Sequence, residues 1–175
     1  MEVIAVYWEP KIKTYGFQVK PGLRLVTAMV PFDRVSQWGE RLECGVDPKH
    51  NFILVLAQPA TASALRMHLL FEPPGAGQLA DLIREMNQEA GGTPFEIDTP
   101  AELVYFQGPH FGDRYGIANA AFQALANKDW QLLAAGFSGA SVYIVVPWNR
   151  ARAAVKCLSQ SFITPGTPIR PPMNT

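Results

Sequence analysis

Residues 102–118 read Glu102-Leu103-Val104-Tyr105-Phe106-Gln107-Gly108-Pro109-His110-Phe111-Gly112-Asp113-Arg114-Tyr115-Gly116-Ile117-Ala118, and the fold is decided there. Glu102–Gln107 is rich in β-branched and aromatic residues, which predicts a strand. Gly108-Pro109-His110-Phe111-Gly112 is a loop by its glycines and proline. Asp113 suits a helix N-cap, because its carboxylate accepts the unpaired amides of a first turn. Ile117, Ala121, Phe122 and Leu125 then form an apolar stripe, with Asn119, Gln123 and Asn127 opposite. The stretch therefore predicts strand, glycine loop and helix in succession.

The same order recurs on both sides. Towards the C-terminus, strands are predicted over 130–135 and 140–146, joined by Gly136-Phe137-Ser138-Gly139. Asn149 is placed to cap a last helix whose buried face is Ala151, Val155, Leu158 and Phe162. Towards the N-terminus, residues 2–8 predict a strand ended by Pro10, and 14–20 and 23–30 predict two strands around the turn dipeptide Pro21-Gly22. Pro31-Phe32-Asp33-Arg34 opens a helix with Val35, Trp38 and Leu42 on one face. The apolar run 52–58 predicts a buried strand. Residues 64–71 alternate, with Leu65, Met67, Leu69 and Phe71 on one face and Arg66 and His68 on the other. Leu79, Leu82, Ile83 and Met86 mark a second amphipathic helix, followed by a short strand around Phe95–Ile97.

Two such runs predict an α+β protein of two ferredoxin-like βαββαβ units, each a four-stranded antiparallel sheet with two helices on one face. The first is expected over 10–98. The second is expected over 99–170, completed by the strand at 2–8. Pro31-Phe32-Asp33-Arg34-Val35 and Gly112-Asp113-Arg114-Tyr115-Gly116-Ile117 occupy matching places, after a strand and before a helix, as internal duplication requires.

The second half resembles the ACT domains at the C-terminal end of aspartate kinases. The resemblance lies in Gly112–Ala118, in the helix ending Ala121-Phe122-Gln123-Ala124-Leu125-Ala126, in Gly136-Phe137-Ser138-Gly139-Ala140-Ser141-Val142-Tyr143, and in Ala153-Ala154-Val155-Lys156-Cys157-Leu158. The family pattern is Asp-Arg-Pro-Gly-Val, and this chain has Tyr115 at the proline. In the first half Asp33-Arg34 is present without the Pro-Gly that should follow. The resemblance implies tandem ACT domains that bind amino acids or similar small ligands, against the loop between first strand and first helix and usually between two copies. A chain of 175 residues has no room for a kinase domain as well.

The ligand residues implied are Asp113, Arg114, Gly116, Ile117 and Ala118, with Ser138 and Gly139 of the strand–strand turn and His110 of the loop. A helix N-terminus offers free amides and partial positive charge to a carboxylate. Gly116 lets the backbone approach closely. Asp113 is expected near an ammonium group. Each residue also has a plainer reading, Asp113 as a cap, Ser138-Gly139 as a hairpin turn and His110 as a surface loop residue.

Composition narrows the classes. Fifteen Lys and Arg balance fifteen Asp and Glu, so the basic excess of a nucleic-acid binder is missing. Cys44 and Cys157 match no metal spacing, and the two read as free thiols of a reducing cytoplasm. His50 and His68 lack partners at metal-ligand spacing, and no phosphate-loop, nucleophile-elbow or His-x-x-x-His pattern occurs. No cofactor and no membrane partner are expected. Three readings follow. They are a small-molecule sensor acting as a homodimer or on a partner enzyme, an interaction scaffold whose pocket is lost, and a small enzyme using His110 with Asp113 as an acid–base pair.

Overall fold

The computed structural model describes residues 11–45, 52–73, 76–89, 97–126 and 131–164. The strand expected at 2–8, residues Phe95 and Glu96, Trp130 and the proline-rich tail lie outside them. The elements are β1 (Ile12–Lys13), β2 (Gly16–Pro31), α1 (Val35–Gly45), β3 (Phe52–Pro59), β4 (Ala64–Phe71), α2 (Ala76–Glu89), β5 (Ile97–Gln107), α3 (Ile117–Leu125), β6 (Ala134–Ser138), β7 (Ser141–Pro147), α4 (Ala151–Leu158) and β8 (Phe162–Ile163). The fold is α+β, with four α-helices among the described residues and mostly antiparallel pairing. β1 and β8 form a short parallel pair.

The chain divides into two compact units. The first holds Lys20–Glu102 with Pro147–Asn149. The second holds the chain up to Val19, Leu103–Val146 and the chain from Arg150 on. Where the sequence reading divides the chain at residues 98 and 99, these units divide at Glu102 and Leu103, and Lys11–Val19 falls in the second.

Within the first unit the strand order is β3-β4-β2-β5. β2 runs antiparallel to β4, with Val26 opposite Leu69 and Thr27 opposite His68. One face carries Val26, Ala28, Val30, Leu69 and Phe71. Trp38 and Leu42 of α1 and Leu79, Ile83 and Met86 of α2 cover it. This matches the periodicities of the sequence, except that Val35 is exposed. The run 52–58 was expected to be a buried strand. Among the described residues β3 instead pairs on one side only, at the end of the order, and Val55 is 45% exposed. A continuous apolar run fits either a central or an edge strand, and sequence does not separate the two.

Pro21-Gly22 does not turn the chain. The two strands expected at 14–20 and 23–30 are one strand, and Gly22 takes φ 71° inside it. Glycine reaches that conformation at no steric cost, so the strand takes a positive φ there and continues. Pro100 sits inside β5 in the same way, and its carbonyl accepts from the Trp148 amide at 3.2 Å.

On the opposite face of this sheet, Thr27 Oγ1 and His68 Nδ1 lie 2.9 Å apart. Burial, and then the nearby Arg66 guanidinium, lowers the His68 pKa below its usual 6.5. A lowered folded pKa means the unfolded chain binds more protons in that window. Stability is therefore full above about pH 6.5 and falls as the pH drops through the lower folded value. Melting temperatures across pH 5–8 should show this acid loss, and His68→Gln should flatten it.

In the second unit the order is β2-β5-β7-β6. Val104 and Phe106 of β5 and Val142, Ile144 and Val146 of β7 form one face. Ile117, Ala121, Ala124 and Leu125 of α3 and Ala151, Ala154 and Leu158 of α4 cover it. Phe106 is at the centre, its ring 5.0 Å from Phe17, 6.0 Å from Phe111 and 4.9 Å from Phe162. Phe162 was expected on the last helix, but it forms β8 and pairs beside Ile12. Asn149 was expected to cap α4. It takes φ 65° instead, which Asn tolerates. The Arg150 carbonyl then accepts the first helical bond, from Ala154 at 2.9 Å.

Candidate functional site

The loop after β5 and the β6–β7 hairpin line an open cavity of about 270 Å³ in the second unit. The loop's course is fixed at its start. Gly108 is buried, and a methyl there would meet the Phe111 ring and the Lys13 carbonyl. Glycine therefore lets Phe111 fold under the loop, where it is 5% exposed and packs edge-on to Phe106. The other end is fixed by Gly116, whose φ of 86° turns the backbone into α3. Across the cavity, Gly139 has φ 48° in the two-residue turn joining Ser138 to Ser141. A positive φ at the first turn position is the type II′ hairpin pattern.

α3 starts at Ile117, not at Asp113, so Asp113 is not its cap. Gly116 is the capping residue, and no side chain bonds the helix amides there. Ala120 is the first residue to donate within the helix, to the Gly116 carbonyl at 2.9 Å. The amides of Ile117 and Ala118 thus carry the unpaired donors of a helix start. The sequence signal misleads because aspartate favours both caps and turns. Here the Asp113 amide donates to the His110 carbonyl at 3.1 Å, closing a turn.

The cavity brings together most of the expected residues. Arg114, Gly116, Ile117, Ala118, Ser138 and Gly139 line it, with Phe111, Tyr115, Phe137, Ser141 and Val142. Asp113 and His110 do not. His110 Nδ1 and Asp113 Oδ2 are 3.9 Å apart and both side chains are exposed. That is an ion-pair separation, beyond hydrogen-bond reach. Among the described residues no group of three His, Cys, Asp or Glu is placed to hold a metal.

The walls combine two kinds of surface. Phe111, Ile117, Phe137 and Val142 are apolar, and no carboxylate side chain is among the lining residues. The polar residues among them are Arg114, Tyr115, Ser138 and Ser141, beside the backbone of the α3 start. Such a set accepts an anionic group attached to an apolar body. Tyr115 stands at the edge, 96% exposed, and Phe122 and Phe137 pair outside with ring centroids 5.4 Å apart.

Sequence reasoning missed Ser141 and Gln107. Gln107 Nε2 donates to Ser141 Oγ at 2.7 Å. The Gln107 carbonyl accepts from Thr14 Oγ1 at 2.6 Å and from the Tyr15 amide at 2.8 Å. The available signal was the hairpin itself, since Ser141 is the residue opposite Ser138. Gln107 also borders a second cavity of about 180 Å³, with Tyr15, Gln18 and Tyr105.

No protein-family model and no curated protein sequence matches the chain. Solved structures do match in fold. The regulatory subunit of aspartate kinase from Thermus flavus has a TM-score of 0.69 at 16% identity, covering 85% of this chain and 97% of that one. The ligand-free regulatory subunit from Thermus thermophilus gives 0.65 at 15%, with the same coverage. Aspartokinase III of E. coli, in complex with lysine and aspartate, gives 0.54 at 15%, covering 89% of this chain and 34% of that one. At these identities the likeness is one of fold. The fold is the ACT-type fold of aspartate kinase regulatory subunits, which lack the kinase domain.

Proposed function

We propose that the chain is a non-catalytic cytoplasmic regulatory module, two ferredoxin-like ACT units, that senses an amino acid. The cavity between the Phe111–Ala118 segment and the β6–β7 hairpin supports this reading most directly. Its donor residues suit a carboxylate, and its phenylalanine, isoleucine and valine walls suit an apolar side chain. L-leucine is the chosen probe for that reason. Aspartokinase III, similar in fold, is seen with amino acids bound. Binding in this module would bias its own assembly or a partner enzyme.

The test is a thermal-shift screen of the twenty amino acids. A ligand at a hundred times its dissociation constant adds about 2.7 kcal/mol of stability. At about 2–4 °C per kcal/mol this raises the melting temperature by about 5–10 °C. Asp113→Asn should shift as the parent does, because Asp113 stands outside the lining. A flat response to all twenty would favour the scaffold reading instead. β3 and β6 end the strand orders and leave edge groups for pairing. We therefore expect a homodimer, and a monomer mass by light scattering in the same samples would oppose it.

A further inference from the structure

We propose that Gln107 is a positioning residue that sets the hydrogen-bonding sense of the cavity, so that Ser141 presents a donor and the site selects a ligand with an acceptor there. The proposal rests on reading the cavity as a ligand site. A serine hydroxyl has one proton and two lone pairs. Gln107 Nε2 donates to Ser141 Oγ at 2.7 Å, which occupies a lone pair and leaves the proton unspent. Among the described residues nothing accepts that proton. Ser141 lines the cavity, so the proton is offered to whatever enters. An amide donating into the oxygen also polarises the hydroxyl and strengthens it as a donor.

Gln107 is held so that this sense does not reverse. It ends β5, and its carbonyl is fixed by both Thr14 and Tyr15. Thr14 is fully buried, with its hydroxyl spent on that carbonyl. The side chain thus leaves the strand at a backbone fixed on two sides. A cavity that offers a donor at Ser141 rejects a group that also brings a donor, because two donors leave each other unpaired. A carboxylate, all acceptor, fits. A primary carboxamide fits less well, since one of its two ends is a donor.

Gln107→Glu reverses the sense. A carboxylate only accepts, so the Ser141 proton turns towards it and Ser141 presents lone pairs to the cavity. The variant should bind L-leucine more weakly and L-leucinamide comparatively better. The ratio of the two affinities, measured by calorimetry on the full chain, should fall about tenfold or more. In a Ser141→Ala background the same change should move the ratio by no more than about threefold, the residue of added charge. A structural role alone would weaken both probes together.

A ligand-free measurement stands beside it. The Gln107 side-chain amide protons, assigned by NMR, should move when Ser141 is replaced by alanine. Unmoved resonances mean that no bond is made, and the proposal fails without any ligand. If the parent binds L-leucine and Gln107→Glu leaves the ratio unchanged, the proposal fails while the ligand site stands. If the parent binds neither probe, the reading of the cavity as a site for an amino acid with an apolar side chain fails and takes the proposal with it.

Discussion

Phe106→Ala should destabilise the protein by about 3–5 kcal/mol, the range for removing a buried aromatic ring from a packed core. Phe106 is 1% exposed and touches three other rings. Its loss removes the hydrophobic transfer energy of the side chain and leaves a void that Phe17, Phe111 and Phe162 cannot all close. Each aromatic contact adds about 0.5–1.5 kcal/mol beyond the buried area. At about 2–4 °C per kcal/mol, the midpoint should fall by about 6–20 °C. The damage should reach the cavity, because Phe111 is both a wall of it and a neighbour of Phe106. Tyr115→Ala is the control. At 96% exposure it should change stability by less than about 0.5 kcal/mol. A Phe106→Ala protein melting within a degree or two of the parent would show that the four rings do not form a core.

Gly108→Ala should be the next most severe change, although it adds one methyl group. The backbone conformation at Gly108 is not left-handed, so alanine meets no intrinsic strain there. The obstacle is space. One neighbour is the Phe111 ring and the other is the Lys13 carbonyl. A ring can tilt, but a carbonyl in the β1 strand yields only if the β1–β8 pair moves. Overpacking of this kind costs about 1–3 kcal/mol and sometimes more. Thermal melts should show the loss. Because Phe111 must move first, ligand response should fall further than stability does. Gly112→Ala, where open space surrounds the position, should leave both near parent values.

Much of this site was legible in the sequence, for reasons that can be named. Gly116 and Gly139 stand where the chain needs positive φ, and glycine is the residue that supplies it. Their spacing around Arg114, Ile117, Ala118 and Ser138 therefore marked the two sides of the cavity. The helix start was misplaced because Asp113 satisfies a turn and a cap equally well, and the left-handed Gly116 decided between them. The Pro21-Gly22 break was misread for a related reason. A turn dipeptide is a local preference, and Gly22 takes its positive φ inside a strand that continues. Gln107 stayed hidden because its bond to Ser141 joins residues far apart in sequence.

The parallel pair β1–β8 has a bearing on how the protein comes into being. Ile12 lies beside Phe162, so the strands that close the second unit are near opposite ends of the described chain. During synthesis, β1 emerges long before β8, and the pair cannot form until α4 has left the ribosome. Lys20–Glu102, by contrast, is one uninterrupted run that emerges early, and it forms nearly all of the first unit. Contacts distant in sequence form slowly, and segments awaiting them stay open to aggregation. The unit that carries the cavity is thus the one completed last, and any stall in translation after α3 leaves it unfinished while Lys20–Glu102 is already whole.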